Sequence, residues 1–205
     1  MIRHLAAAGS LAAALLAPGA AAENVRVRIE TSAGDIVVDV DDAAPLTAAN
    51  FLAHVDQGLY DGARFYRVTR PANDPMIEVV QGGLWDPARE GDPGYAFTAP
   101  RPPIAHETTA ASGLSHVDGA ISMARGEPGT AASEFFITIG PHPELDFGGA
   151  RNPDGQGFAA FGRVVAGMEV VRAIQTGSTA ASLSSPVMAG QILDAPVVIA
   201  RMRRD

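Results

Sequence analysis

A chain of 205 residues that is 47% hydrophobic can bury one sizeable core, so a single globular domain is expected. Its 15 basic residues are all arginine and are outnumbered by 23 acidic ones; the formal charge of −8 argues against a nucleic-acid backbone as partner. The absence of cysteine excludes disulfides and a thiol nucleophile.

Residues 1–22 read as a secretory signal peptide. Arg3 and His4 are followed by an apolar run at 5–17, too short to span a bilayer, and Ala20-Ala21-Ala22 fits a small-residue cleavage site. The expected mature domain is 23–205, exported and not inserted in the membrane after cleavage.

Residues 24–31 alternate, with Val25, Val27 and Ile29 on one face and Arg26, Arg28 and Glu30 on the other, as in a half-buried strand. A turn at 32–35 returns the chain through 36–40, making a hairpin. Residues 44–58 read as a helix, with Asp41 or Asp42 as cap, Pro45 in its first turn and an apolar face of Leu46, Leu52, Val55 and Leu59. His54 on this helix reads as a surface or core-edge residue. Strands are expected at 65–68 and 76–81, separated by a loop with two prolines. Residues 84–118 are expected to be mostly loop, because Pro87, Pro93, Pro100, Pro102 and Pro103 preclude long elements.

The central stretch, 119–139, reads as strand, sharp loop, strand. Ala120, Ile121, Met123 and Ala124 form one apolar run, and Phe135, Phe136, Ile137 and Ile139 the other; two glycines and a proline break the chain between them. Two such strands can wall a small apolar pocket, while the loop leaves backbone amides free beside it. A guest that is apolar on one side and peptide-like on the other suits that combination. Further on, 158–165 reads as a strand, 167–175 as a second helix, 176–189 as a surface loop and 191–202 as a closing strand, with Arg201, Arg203 and Arg204 as a solvated tail. About eight short strands and two widely separated helices point to a closed or nearly closed antiparallel sheet with helices plugging its ends.

Other chemistries lack their residues. No G-x-S-x-G elbow exists around Ser112, Ser115 and His116. His106-Glu107 has no second ligand at helical spacing, and Asn152-Pro153-Asp154-Gly155 lacks the distal Glu of a calcium loop and reads as a plain turn. No metal and no cofactor is expected.

Six ordered blocks carry a resemblance: Tyr60-x-Gly62-x-x-Phe65-x-Arg67, Gln81-Gly82-Gly83, Ser122-Met123-Ala124-Arg125-Gly126, Ser133-Glu134-Phe135-Phe136-Ile137, Leu145-Asp146 and Phe161-Gly162-Arg163-Val164. From about Val25 to the C-terminus the chain resembles the cyclophilin-type peptidyl-prolyl isomerases. The resemblance implies a mainly β fold, a closed eight-stranded antiparallel β-barrel capped by two α-helices. It implies a monomeric, cofactor-free enzyme acting on proline-containing unfolded or partly folded polypeptides. With the signal peptide, it implies a periplasmic location.

Rotation about a peptide bond meets a barrier of roughly 18–20 kcal/mol from partial double-bond character, and lowering it needs no covalent step. A fixed donor aimed at the prolyl nitrogen helps, and arginine suits because it keeps its proton and holds its N–H groups in a rigid fork. By resemblance, Arg67 is that catalytic donor, and Gln81 holds the substrate backbone or steadies Arg67. Phe65, Met123, Ala124, Arg125, Glu134, Phe136, Leu145 and Phe158 are implied to bind substrate, Ala124 and Arg125 by pairing with the peptide like an added strand.

The chain also departs from the family pattern. Glu78 stands where a pocket phenylalanine often precedes Gln-Gly-Gly, Glu134 replaces a glutamine, Glu144 stands where a tryptophan often lies, and Phe158 where a histidine often lies. These substitutions suggest an acidic pocket in which Glu134 and Glu78 pair with Arg67 and favour clients with Lys or Arg near the proline. They leave open an alternative, a low-activity cyclophilin-fold chaperone or proline-peptide binding module. The extra loops at 69–76 and 146–157 suggest a docking surface for a dedicated partner.

Overall fold

Alternating side chains wrap one sheet around one core. The computed structural model describes residues 24–89, 96–180 and 188–205; the expected signal segment and part of the expected 176–189 loop lie outside them. Among the described residues nine strands run β1 (Val25–Thr31), β2 (Gly34–Val40), β3 (Arg64–Val68), β4 (Val79–Gly83), β5 (Ala120–Met123), β6 (Phe135–Thr138), β7 (Ala159–Ala166), β8 (Thr179–Ala180) and β9 (Ile192–Arg204). The helices are α1 (Pro45–Asp56), the single turn α2 (Thr109–Ser112) and α3 (Met168–Gln175).

The sheet order is β1-β2-β7-β5-β6-β4-β3-β9, and β9 pairs back onto β1, so eight antiparallel strands close into a barrel. The two-residue β8 pairs with β9 outside that ring. Phe65, Phe135 and Phe161 fill the interior together with Phe51 and Val55 of α1 and Val171 and Ile174 of α3. Phe135 meets Phe51, Tyr60 and Phe65 edge-on, at ring distances of 5.4–5.7 Å. Helices α1 and α3 cap the barrel, α1 packing on β9 and β7, α3 on β2, β4 and β3.

Several local expectations change. Helix α1 is not capped by Asp41 or Asp42. Its first free N–H groups, Leu46 and Thr47, donate instead to the Glu107 carboxylate at 3.1 and 2.8 Å, satisfying the orphaned donors of the first turn from a distant loop. Strand β4 starts at Val79 rather than at 76, because Met76 N–H donates to Asp74 Oδ1 and holds that stretch in a turn. Thr108 accepts from Ala111 N–H and nucleates α2 in the expected loop. His54 is fully buried, donating to the Asn50 carbonyl and stacking on Tyr60. Arg201, Arg203 and Arg204 are not a tail; they belong to β9, where Arg203 pairs with Glu30 and Arg204 with Asp56.

Candidate active site

Strand period and one irregularity place the site. Within β4 and β6, Val80 and Phe135 point into the barrel core, so Val79, Gln81 and Phe136 point out. In β3, Phe65 and Val68 both point in, which strict alternation forbids. The register of β3 shifts between Phe65 and Arg67 against both neighbouring strands, and this bulge turns Tyr66 and Arg67 together to the outer face. Cross-strand pairing then draws one row over that face: Arg67 opposite Gln81, Gln81 opposite Phe136, Phe136 opposite Ser122.

Above the row lies a cavity of about 410 Å³. Its apolar part is a separate cluster outside the barrel, built on Ile77, Val79, Phe136 and Leu145 with Ala124 and Phe158 against it. Phe158 meets Phe136 edge-on at 5.3 Å. The polar side of the cavity is Arg67, Gln81, Arg125, Arg151 and Asn152. A second depression adjoins it across Gln81, Ala124 and Arg125 and runs past Thr130 and Glu134, so the two form a groove.

Arg67 is half-buried and, among the described residues, contacts no carboxylate directly. Its Nε and Nη2 donate to Gln191 Oε1 at 2.8 and 2.6 Å, and its Nη1 donates to Gln81 Oε1 at 2.6 Å. One N–H on each terminal nitrogen remains, on the face of a cavity whose other wall is apolar. Burial pulls its pKa down from the usual guanidinium value, with Asp74 among the groups opposing that. Gln191 is oriented in turn by donating to the Asn73 carbonyl at 3.3 Å, so the 69–76 loop helps to hold Arg67.

The structure brings Arg67, Gln81, Ala124, Arg125, Phe136, Leu145 and Phe158 together around this one cavity. Phe65 and Met123 are elsewhere: both are buried in the barrel core, on the inward phase of their strands. Glu134 borders the adjoining depression rather than the cavity itself, and it does not pair with Arg67. Its Oε1 accepts from Leu84 N–H, Trp85 N–H and Ser133 Oγ, and its Oε2 from Tyr66 Oη. Glu78 turns to α3 and accepts from Gln175 Nε2 at 2.9 Å; neither it nor Glu144 lines the cavity. Among the described residues no carboxylate lines the cavity beside Arg67, as the expected acidic pocket would require, and its charged lining is arginine. Arg125 is itself locked: its side chain is 1% exposed, pairs with Asp154 and lies 5.2 Å from the centre of the Phe158 ring. It holds the Asp154 carboxyl down to about 2.

Sequence reasoning missed Ile77, Val79, Arg151, Asn152, Met188 and Gln191. The last is 124 residues from the arginine it holds. It also missed a buried chain behind Phe136. His116 Nδ1 donates to Asp146 Oδ1 at 2.7 Å, since a carboxylate only accepts, and His116 Nε2 faces Ser122 Oγ at 3.0 Å. The order resembles an acyl-transfer triad, but Ser122 is fully buried and outside the cavity. What the chain does is hold the His116 ring flat against Phe136, 5.8 Å away with planes 14° apart. Burial lowers the His116 pKa, and the Asp146 hydrogen bond opposes it.

Residues 26–202 match the family model described as cyclophilin type peptidyl-prolyl cis-trans isomerase/CLD. The chain is 39% identical over 178 residues to peptidyl-prolyl cis-trans isomerase cyp18 of Streptomyces antibioticus, covering 84% of this chain and 94% of that one. It is 36% identical over 158 residues to peptidyl-prolyl cis-trans isomerase B of Escherichia coli, covering 76% and 87%. Its fold superposes with a TM-score of 0.63 on a cyclophilin-type isomerase of Cryptosporidium parvum crystallised in the presence of the dipeptide Ala-Pro, at 22% identity and covering 88% and 98%. A closed eight-stranded barrel, an arginine facing an apolar recess on its outer wall and this set of relatives lead to one assignment: the chain belongs to the cyclophilin-type peptidyl-prolyl cis–trans isomerase family.

Proposed function

We propose that this chain accelerates rotation about X-Pro bonds in exported polypeptides, without a covalent step, with Arg67 as the donor to the prolyl nitrogen. One observation carries the reading: a guanidinium that donates to the neutral amide oxygens of Gln81 and Gln191 shares a cavity with Phe136, Leu145 and Phe158. Those side chains suit a proline ring, and the Ala-Pro dipeptide named for the Cryptosporidium relative is the smallest piece of such a client. As the amide twists, its nitrogen regains a lone pair, and a fixed donor beside it is worth more in a water-poor cavity than in bulk water. Gln81 steadies the donor, and the groove past Ala124 and Arg125 offers backbone for the peptide to pair with.

A protease-coupled assay on a proline peptide tests the activity and Arg67→Ala tests the role. The variant is expected to lose kcat/KM by about 10²–10³-fold, the scale for removing one positioned donor. A variant as fast as the parent would remove Arg67 from the mechanism. The acidic residues that favoured a mere binding module lie outside the cavity, which supports the enzymatic reading. Export is part of the proposal, resting on residues 1–22. N-terminal sequencing of the protein recovered from the periplasm of a two-membrane bacterium should begin at Glu23; an intact Met1 would count against it.

A further inference from the structure

We infer that Glu134 and Tyr66 are positioning residues that decide which way the Gln81 amide faces, and through it where Arg67 points; the inference rests on Arg67 being the donor of the isomerase reaction.

The argument is one of hydrogen-bond direction. Ionised, Glu134 can only accept. Its Oε1 is taken by Leu84 N–H at 2.8 Å, Trp85 N–H at 3.1 Å and Ser133 Oγ at 3.2 Å, and its Oε2 takes the Tyr66 hydroxyl proton at 2.6 Å. A phenol has one proton. With that proton spent on Glu134, Tyr66 Oη must accept from Gln81, and Gln81 Nε2 lies 2.8 Å from it. The Gln81 carbonyl is thereby the end left for Arg67 Nη1, 2.6 Å away. The other amide orientation would set an NH2 group against a guanidinium.

The backbone makes room for this arrangement. Gly83 has φ +151°, and a Cβ built there would overlap the Glu134 carboxylate. The Tyr66 ring is itself fixed, meeting Trp85 edge-on at 5.0 Å. The bulge in β3 is what brings Tyr66 to the same face as Arg67.

Glu134→Gln tests the direction rather than the shape. The introduced amide must keep its oxygen toward Leu84 and Trp85 N–H, so its NH2 meets Tyr66. The Tyr66 proton then turns to Gln81, the Gln81 amide flips, and donor faces donor at Arg67. Tyr66→Phe removes the middle of the chain instead. In the full chain, both variants are expected to lose about tenfold or more in kcat/KM, in kcat rather than KM, as misplacing a catalytic group does. Combined with Arg67→Ala, neither should lower activity further. In nitrogen-15 NMR, the Arg67 Nε–H resonance should shift in both variants. Parent-like turnover, or equal losses with and without Arg67, would overturn the relay. An unmoved Arg67 resonance would overturn it as well, whatever the activity. An Arg67→Ala protein at full activity would remove the donor reading instead, and the resonance would still decide the relay. Should Glu134→Gln fail to fold, Tyr66→Phe carries the same three readouts.

Discussion

Asp74 and Arg151 face each other at the rim of the cavity, with Arg151 Nη2 2.8 Å from Asp74 Oδ2. One belongs to the 69–76 loop and the other to the 146–157 loop, the two segments that looked like additions to the family pattern. They clasp each other across the cavity: Arg151 and Asn152 wall it, and Asn73 orients Gln191 behind Arg67.

Breaking that clasp should change both stability and preference. Asp74→Ala leaves Arg151 with its side chain 22% exposed and no carboxylate beside it. A loss of about 1–3 kcal/mol is expected in urea unfolding. The released charge at the rim should favour peptides with Glu beside the proline over those with Lys, by about two- to fivefold and less so at high salt. An unchanged ratio between the two peptides would mean that Arg151 does not face the bound chain.

Gln191 should matter to rate more than to stability. It accepts two of the three internal hydrogen bonds of Arg67. Gln191→Ala is expected to lower kcat/KM by about tenfold while the half-buried guanidinium finds water instead. The coupled peptide assay measures this, and full activity would show that Gln81 alone suffices to aim the arginine.

Phe136→Ala removes the cavity floor together with its contacts to His116 and Phe158. Phe136 is 4% exposed, so the variant should lose about 3 kcal/mol in unfolding and raise KM for proline peptides. A stable variant with parent KM would place the proline elsewhere.

Stability should fall on mild acidification. Burial lowers the pKa of His116 and of His54 from 6.5. Below pH 6.5 the unfolded chain takes up protons that the folded chain refuses, so their contribution is full above that pH and is lost as pH falls toward the folded values. Glu134 has the opposite sign. Burial raises its pKa above 4.5, and folded stability is lost as pH rises through the raised value. Urea midpoints between pH 7.5 and 5.5 should therefore decline, and His116→Gln should flatten the decline. A His116→Gln variant with the same pH dependence as the parent would contradict the buried, neutral state of that ring.

Much of the barrel is legible because period two is a local property: Val25, Val27 and Ile29 announce β1 without help from the rest of the chain. The motif blocks find Arg67, Gln81, Phe136 and Leu145, but they also drew Phe65 and Met123 into the pocket. Counting by twos from Ala124 separates Met123, but counting back from Arg67 puts Phe65 on the wrong face because of the register shift between them. The bulge at Tyr66 is not legible, since nothing in Phe65-Tyr66-Arg67-Val68 marks where alternation slips. Nor are the distant partners, Glu107 for α1 and Gln191 for Arg67, which closure alone brings near. The acidic substitutions misled for a related reason: a carboxylate near a pocket in sequence spends its acceptors on whichever donors the fold supplies.

The seam between β1 and β9 has a consequence for how the protein is made. Besides its hairpin partner β2, β1 pairs with β9, the strand most distant from it in sequence, and Arg28 meets Asp205 across that join at 2.6 Å. Until β9 is made the sheet stays unrolled, and wrapping it shut waits on contacts between strands far apart in sequence, which slows the process. Removing β9 should yield a sheet with two raw margins, β1 and β3, instead of a cylinder.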